Sequence, residues 1–105
     1  MASKGEAQIL LEIHLKELGL AFTPEYKFDK KRKWRFDYLI TSWHLFAIEI
    51  EGGIFTQGRH TRGAGYLKDL EKYREATALG YRVYRFSTGE VLNGTAREFI
   101  KKHCT

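Results

Sequence analysis

WRFDYLITSWHLFAIEIE, residues 34–51, is the stretch that decides the fold, because its pattern predicts two neighbouring β-strands. Apolar residues recur at every second position from Trp34 to Ile40, and alternation with period two is typical of a half-buried strand. A short turn over residues 41–44 leads to a second strand over residues 45–51. The residues expected on the inner faces are Trp34, Phe36, Tyr38 and Ile40 in the first strand and Phe46, Ile48 and Ile50 in the second.

Acidic side chains are placed on the opposite faces of the same two strands. Glu49 and Glu51 are two residues apart and therefore leave one face together, while Asp37 is the single acid of the first strand. Carboxylates that project together repel each other unless a cation or a proton lies between them. Oxygen ligands of this kind suit Mg2+ or Mn2+. The alternative is that these acids are solvated positions on the outer face of an antiparallel pair.

Length and composition predict one folded domain over residues 1–105. A hydrophobic content of 43% with 14% aromatic residues is enough for a real core and excludes a disordered segment. The net charge is +5. Together with a pI of about 9.4, this charge favours a polyanionic partner without identifying one.

The expected compartment is a reducing one. Cys104 is the single cysteine, so no intrachain disulfide can form, and a cytoplasmic location is expected, in a bacterial or phage-infected host cytosol. Residues 1–5 do not resemble a signal peptide, and no apolar run approaches the length that spans a membrane. We therefore expect no membrane partner.

The chain upstream of the two strands is predicted to begin with a helix over residues 3–18. Ser3 and Glu6 fit a capping box, and Gly19 is a natural residue to follow the helix. The predicted apolar stripe places Glu6 on the inward face and Glu12 on the outward face. Glu6 then lies at the edge of a site, or it only caps its helix. The stripe is expected at Ile9, Leu10 and Ile13.

A basic turn precedes the first of the two strands. Residues 20–28 predict a loop and a short strand, with Pro24 limiting where the strand begins. The turn that follows is a candidate contact for phosphates, although a solvated turn that keeps the protein soluble is the commoner case. We call its cations the basic finger: Lys30, Lys31, Arg32, Lys33 and Arg35.

A glycine-rich loop, GGIFTQGRHTRGAG, follows the second strand and contains five glycines in fourteen residues. Such a loop can approach a ligand closely. His60 is the histidine best placed for proton transfer, because an imidazole titrates near neutral pH. Arg59 and Arg62 are candidate nucleic-acid contacts, and the ordinary alternative is that all three side chains are simply exposed.

The second half predicts a helix over residues 65–79, a strand over 81–86 and a final helix over 90–102, which is frayed near 93–94. The order is therefore α, three strands, α, strand, α. We expect an α/β (α+β) mixed sheet of about four strands, an αβββαβ core with helices on both faces and a C-terminal helix. The inward stripe of the 65–79 helix is expected at Tyr66, Leu70, Tyr73 and Thr77, with Asp69, Lys72 and Ala76 on its flank. Lys72 then leans over the carboxylate end of the sheet, or it is an ordinary flanking lysine with a buried stem.

Taken in this order, the residues resemble the PD-(D/E)XK nuclease superfamily, whose restriction-endonuclease-like core has the same αβββαβ order. Within it, the chain is similar to small endonuclease-like proteins related to the very-short-patch mismatch repair endonuclease. The match runs over nearly the whole chain. The matching stretches are Glu6, Asp37, EIEGG at 49–53, His60, Asp69 to Lys72, and GYRVYRF at 80–86.

The resemblance implies a metal-dependent DNA endonuclease that uses Mg2+ or Mn2+ to hydrolyse phosphodiester bonds. The implied metal ligands are Asp37, Glu49, the carbonyl of Ile50, and Glu51. Glu51 stands where the motif has a lysine, so Glu51 is a ligand or base, or a basic residue enters from elsewhere. The implied catalytic residues are Glu6, Asp37, Glu49, Glu51, His60 and Lys72, with Glu51 or His60 as the base and Lys72 as the candidate for the missing lysine.

Two other functional classes remain open. A catalytically inactive nuclease-fold module that only binds nucleic acid needs no more than the basic finger, Arg59 and Arg62. A structural or regulatory module in a larger complex would use the basic charge only for solubility. If the chain is an endonuclease, a domain this small needs two copies to cut both strands together, which makes a homodimer a candidate assembly. A small phage-like protein would have this length.

Overall fold

A four-stranded mixed sheet organises the chain in the computed structural model, which describes residues 5–52 and 64–104. The strands lie in the order β1-β2-β3-β4, with β1, β2 and β3 antiparallel and β4 parallel to β3. The predicted αβββαβ fold class is confirmed. The elements are α1 (Glu6–Glu17), β1 (Phe22–Asp29), β2 (Trp34–Ile40), β3 (Phe46–Glu51), α2 (Ala64–Ala78), β4 (Arg82–Ser87), α3 (Thr88–Leu92) and α4 (Thr95–His103).

Helices cover both faces of the sheet, as predicted. The helix α2 is the crossover that a parallel pair such as β3 and β4 requires, and it packs on one face. On the opposite face, α1, α3 and α4 bury the larger core. Within residues 5–52 and 64–104, no helix is both long and apolar enough to cross a membrane. The buried residues of the larger core include Leu11, Leu15, Ile40, Ile48, Val91 and Ile100.

The helix α1 presents a different face to the sheet from the one predicted. Ile9 and Ile13 are 50% and 47% exposed, and the buried residues are Ala7, Leu11 and Leu15, which are spaced four apart. Glu12, expected to point away, accepts a hydrogen bond from the Tyr38 hydroxyl at 2.7 Å. Apolar residues lie on so many sides of this helix that either of two apolar stripes could face the sheet. The small Ala7 allows the buried stripe to approach the sheet.

The start of α1 also differs from the prediction. Gly5 is the N-cap, and its backbone N–H donates to Gln8 Oε1 at 2.7 Å. Glu6 is therefore the first helical residue rather than the partner in a capping box, and its side chain is exposed. Ser3, the other half of the predicted box, lies outside the described residues.

The helix α2 packs on the sheet through a small side chain. Ala76 is fully buried, in one cluster with Ala47 of β3 and Phe36 of β2. The predicted inward positions Tyr66 and Leu70 are 50% and 44% exposed, so that part of the predicted stripe is wrong. The predicted inward Thr77 is exposed as well. The predicted flank residues Lys72 and Ala76 face the sheet instead, because two alanines allow helix and strand to approach closely.

Three boundaries moved for backbone reasons. The strand β1 is eight residues long although it contains Pro24. Because β1 is an edge strand, the backbone N–H that proline lacks is not needed to pair with a further strand. The strand β3 begins at Phe46, since Leu45 has a φ of 58°. The last predicted helix is two helices, α3 and α4, which separate at Gly94 with a φ of 89°.

The alternation of β2 breaks at Phe36. Tyr38 and Ile40 are buried in the core under α1, as predicted, but Phe36 belongs to the cluster under α2. Its ring stacks on Phe28 with a centroid distance of 4.3 Å and contacts Tyr81. The break lies next to Asp37, where the backbone pairing between β2 and β3 gives way to bonds with side chains.

Candidate active site

Asp37 and Glu49 lie side by side where the backbone ladder between β2 and β3 ends. The last regular pair is Tyr38 with Ile48. At the next position the Asp37 N–H donates to Glu49 Oε2 at 3.0 Å, and the Ile50 N–H donates to Asp37 Oδ2 at 2.7 Å. Each carboxylate is therefore fixed by the backbone of the neighbouring strand. The predicted pairing of these two acids across the strands is what the structure contains.

Two side chains of α2 complete the surroundings of Glu49. The Lys72 ammonium lies 3.1 Å from Glu49 Oε1, and the Tyr73 hydroxyl donates to the same oxygen. The side chains of Lys72 and Glu49 are only 17% and 11% exposed. A mostly buried carboxylate needs such partners, because removing its charge from water without them is costly. Lys72, one of the residues named from the sequence, thus contacts Glu49, the neighbour of Asp37.

Burial perturbs the ionisation of this cluster. It raises the pKa of Asp37, and the negative charge of Glu49 adds to the rise, while the hydrogen bond from the Ile50 N–H opposes it. Burial also raises the pKa of the Tyr73 hydroxyl, and the bond to Glu49 adds to that rise. Tyr73 therefore remains a neutral hydrogen-bond donor across the physiological range. A cation close to Asp37 would favour its charged form and oppose the rise.

Glu51 has a different partner from the other two acids. The Arg85 side chain donates to Glu51 and lies over the Tyr73 ring, with its guanidinium carbon 4.4 Å from the ring centroid. The bond to Glu51 is the main cause of the raised pKa of Arg85. A cavity of about 310 Å³ lies beside this pair. It is lined by Glu51, Tyr66, Asp69, Leu70, Tyr73 and Arg85.

Glu6 lies on the other side of the end of β3. It lines a cavity of about 270 Å³ that also includes Ile50, Gly52 and Thr88. Among the described residues, no hydrogen bond or ion pair links Glu6 to Asp37 or Glu49. The structure thus places Glu6 at the rim of the strand end and not in the carboxylate cluster.

The donor atoms of the cluster fit a divalent cation in part. In the part of the chain that the structure describes, no three acidic, histidine or cysteine side chains surround a common point. Mg2+, however, is commonly held by one or two carboxylates while water and substrate phosphates complete its shell. Asp37 and Glu49 match that donor set, and the Ile50 carbonyl belongs to the same strand end.

The basic finger lies in the turn between β1 and β2 and at the start of β2, and two of its cations form ion pairs. Arg32 pairs with Asp29 at 3.5 Å and with Glu75 of α2 at 3.7 Å, which brings the turn against the helix that carries Lys72. Arg35 pairs with Glu25 at 3.1 Å. The remaining cations Lys30, Lys31 and Lys33 are exposed. Arg59, His60 and Arg62 lie outside the described residues.

Sequence reasoning missed the roles of Tyr73 and Arg85. The inward position of Tyr73 was predicted, but not its bond to Glu49. Arg85 is brought to the site by the parallel register of β3 and β4, in which Glu49 pairs with Arg85 and Glu51 with Ser87. The only available signal was an arginine within the strand predicted over residues 81–86.

No protein-family model and no curated protein sequence matches the chain. Among solved structures, the fold is similar to that of the homing endonuclease I-Bth0305I catalytic domain, with a TM-score of 0.71. The alignment covers 94% of this chain and 93% of that chain, at 18% sequence identity. The likeness establishes a fold shared with an endonuclease catalytic domain over almost the whole chain.

Proposed function

We propose that the protein is a metal-dependent DNA endonuclease of the PD-(D/E)XK type. Asp37, Glu49 and Lys72 would form the active site at which it hydrolyses the phosphodiester bonds of DNA. The observation that carries this proposal is the convergence of these three side chains at the strand end. Two carboxylates with one ammonium are the groups that phosphodiester hydrolysis requires: ligands for a metal and a cation for the phosphate. The fold shared with the homing endonuclease catalytic domain supports the same conclusion.

Asp37 and Glu49, with the Ile50 carbonyl, would hold one or two Mg2+ or Mn2+ ions. Such an ion supplies an acidic bound water and neutralises charge that develops on the phosphate. The backbone bonds from Asp37 and Ile50 hold both carboxylates in place before a substrate arrives. This preorganisation lowers the cost of forming the reactive arrangement.

Other residues of the chain would handle the proton and the phosphate. Lys72 would contact the scissile phosphate. Glu51 or His60 would take the proton from the attacking water, and Glu6 would orient that water from the rim of the strand end. Glu51 already accepts a charge-assisted bond from Arg85, so it would have to give up part of that bond to take a proton from the water. This favours His60 as the base.

The DNA backbone would lie across the strand end and the basic finger. Lys30, Lys31 and Lys33 are exposed cations on a turn that contacts α2 through Arg32 and Glu75. Arg59 and Arg62 would add phosphate contacts. One copy has one such cluster, so we expect it to nick DNA, and a homodimer to cut both strands.

A nuclease-fold module that only binds nucleic acid is the second candidate function. The favouring observation is that both Glu49 and Glu51 already have a cationic partner, Lys72 and Arg85. Because a cation neutralises the charge of each of these carboxylates, the site would be stable without a metal. The basic finger alone would retain DNA.

A cleavage assay separates these two functions. Wild type and Asp37→Ala are incubated with supercoiled plasmid and with branched, mismatched and linear oligonucleotides, in Mg2+, Mn2+, Ca2+ or EDTA. The endonuclease predicts cutting by the wild type in Mg2+ or Mn2+ only, and none by the variant. The variant should bind DNA at least as tightly, because it has lost a negative charge. Salt-dependent binding without cutting by either protein would establish the binding module.

A further inference from the structure

We propose that Lys72 is the counter-ion that a divalent metal replaces at Glu49, and that Tyr73 is the positioning residue that holds Glu49 during the exchange. This inference rests on the proposed function, since it concerns the same carboxylates. It adds an order of events: the site is occupied by its own cation until a divalent metal displaces it.

The geometry at one oxygen atom carries the proposal. Glu49 Oε1 accepts from both Lys72, at 3.1 Å, and Tyr73, while Oε2 accepts from the Asp37 N–H at 3.0 Å. The Lys72 ammonium therefore occupies the side of Glu49 that faces α2. Because the Glu49 side chain is only 11% exposed, a second cation cannot approach this oxygen without displacing one of its partners.

Lys72 is the partner that can leave. Its ammonium is a point charge on a flexible four-carbon stem, so it can move from a carboxylate to a nearby phosphate without a shift of the helix. A divalent cation beside Asp37 and Glu49 would repel it by Coulomb's law, and an incoming phosphate would offer a new partner. Metal and substrate phosphate thus promote each other's binding through Lys72.

Tyr73 is the partner that stays. It is uncharged, so a metal does not repel it, and its hydroxyl donates to Glu49 Oε1. Two cations contact its ring, with the Arg85 guanidinium carbon at 4.4 Å and the Lys72 ammonium at 5.1 Å from the ring centroid. The neighbouring anchor Ala76 of α2 is fully buried. Tyr73 can therefore fix Glu49 whether Lys72 or a metal lies beside it.

The test is calorimetric titration of the full chain with Mn2+ in the absence of DNA. Lys72→Met removes the competing charge and should tighten Mn2+ binding about tenfold, the scale of repulsion between a divalent and a single charge a few ångströms apart. Lys68→Met is the matched control, because it removes the same charge from an exposed position one turn earlier on α2. Screening by solvent and salt should limit its effect to about twofold.

Tyr73→Phe should change Mn2+ binding in the opposite direction. It removes only the hydroxyl that orients Glu49, and loss of a residue that orients a metal ligand weakens binding by about tenfold or more. The matched control is Tyr66→Phe on an exposed part of the same helix, which should bind as the wild type does. Both Lys72→Met and Tyr73→Phe should lower cleavage, so only the binding measurement gives opposite signs.

Each outcome has one meaning. Equal Mn2+ affinity of Lys72→Met and Lys68→Met would overturn the exchange. Equal affinity of Tyr73→Phe and Tyr66→Phe would overturn the positioning role. Wild type that binds no Mn2+ at all would count against the proposed metal-dependent function itself. Wild-type binding that Asp37→Ala abolishes, together with matched pairs that do not differ, would leave that function intact and remove this inference alone.

Discussion

Neutralising Glu49 and neutralising Asp37 should change the stability of the fold in opposite directions. The two carboxylates are neighbours, but Glu49 has the Lys72 ammonium at 3.1 Å, whereas Asp37 receives its nearest bond from the Ile50 backbone N–H at 2.7 Å. Glu49→Gln and Asp37→Asn keep the size and shape of the side chains. Each variant therefore removes one charge and leaves the packing unchanged.

The cost of Glu49→Gln follows from the partners that it leaves behind. The Lys72 side chain is 17% exposed and would lose its anion. Breaking a fully buried ion pair costs roughly 3–5 kcal/mol, and the remaining solvent exposure reduces the cost here to about 2 kcal/mol. The side-chain amide of Gln would also place its two N–H hydrogens against groups that donate hydrogen bonds to Glu49 in the wild type. In a chain of this size, such a loss lowers the melting temperature by roughly 8–15 °C.

The opposite sign for Asp37→Asn follows from its pKa, which burial raises above the ordinary value of 3.8. The folded state then holds a proton that the unfolded chain releases. The stability that this provides is fully present below pH 3.8 and is lost as the pH rises through the folded pKa. At neutral pH the ionised Asp37 is therefore a cost. Asparagine removes that cost and still accepts from the Ile50 N–H.

Urea unfolding followed by circular dichroism measures both effects. At pH 7, the midpoint of Glu49→Gln should fall and that of Asp37→Asn should equal or exceed the wild-type midpoint, with unchanged slopes. The advantage of Asp37→Asn over the wild type should shrink as the pH is lowered toward 4. Midpoints that fall equally for both variants would refute the distinct environments of the two carboxylates.

Two further predictions concern residues outside the carboxylate cluster. Burial raises the pKa of the Cys104 thiol to about 11. Iodoacetamide at pH 8 should therefore modify this thiol slowly in the folded protein and rapidly in urea. Equal rates of modification would contradict its burial. Replacing Lys30, Lys31 and Lys33 together by Gln should weaken DNA binding and reduce the salt slope by up to about 3, one for each phosphate contact. Lys16→Gln on α1 is the control for a single charge, and an effect there of about one third of the triple variant's would mean that only net charge matters.

Much of the sheet was predictable because local pattern and tertiary packing agree there. The alternate residues predicted to face inward are buried in the larger core, namely Tyr38 and Ile40 in β2 and Phe46 and Ile48 in β3. Phe36 departs from it because its ring stacks on Phe28, a contact that depends on the pairing of β1 with β2. The period of a single strand contains no information about such a contact.

Helix faces were harder to predict, since composition did not separate one face from the other. In α1, Ile9 and Ile13 compete with Leu11 and Leu15, and only the packed structure selects the leucines. In α2, the anchor is Ala76, a residue that no hydrophobic stripe would choose over Tyr66.

The candidate site was predictable as far as the charged residues allowed. The convergence of Asp37, Glu49 and Lys72 agrees with the residues named from the sequence. The bond from Tyr73 and the pairing of Arg85 with Glu51 depend on the parallel register of β3 and β4, which forms across the α2 crossover. Long-range register of this kind cannot be obtained from spacing along the chain.

Plasmid cleavage in Mg2+ by Asp37→Asn, the variant expected to keep or improve stability, tests whether the carboxylate cluster is the active site. We expect the wild type to cut and Asp37→Asn to be slower by at least about a hundredfold, because a preorganised charge in the site is lost. Glu71→Gln, an exposed acid on α2, should cut like the wild type. Equal cleavage by Asp37→Asn and wild type would contradict the account, because the carboxylate cluster would then not be the active site.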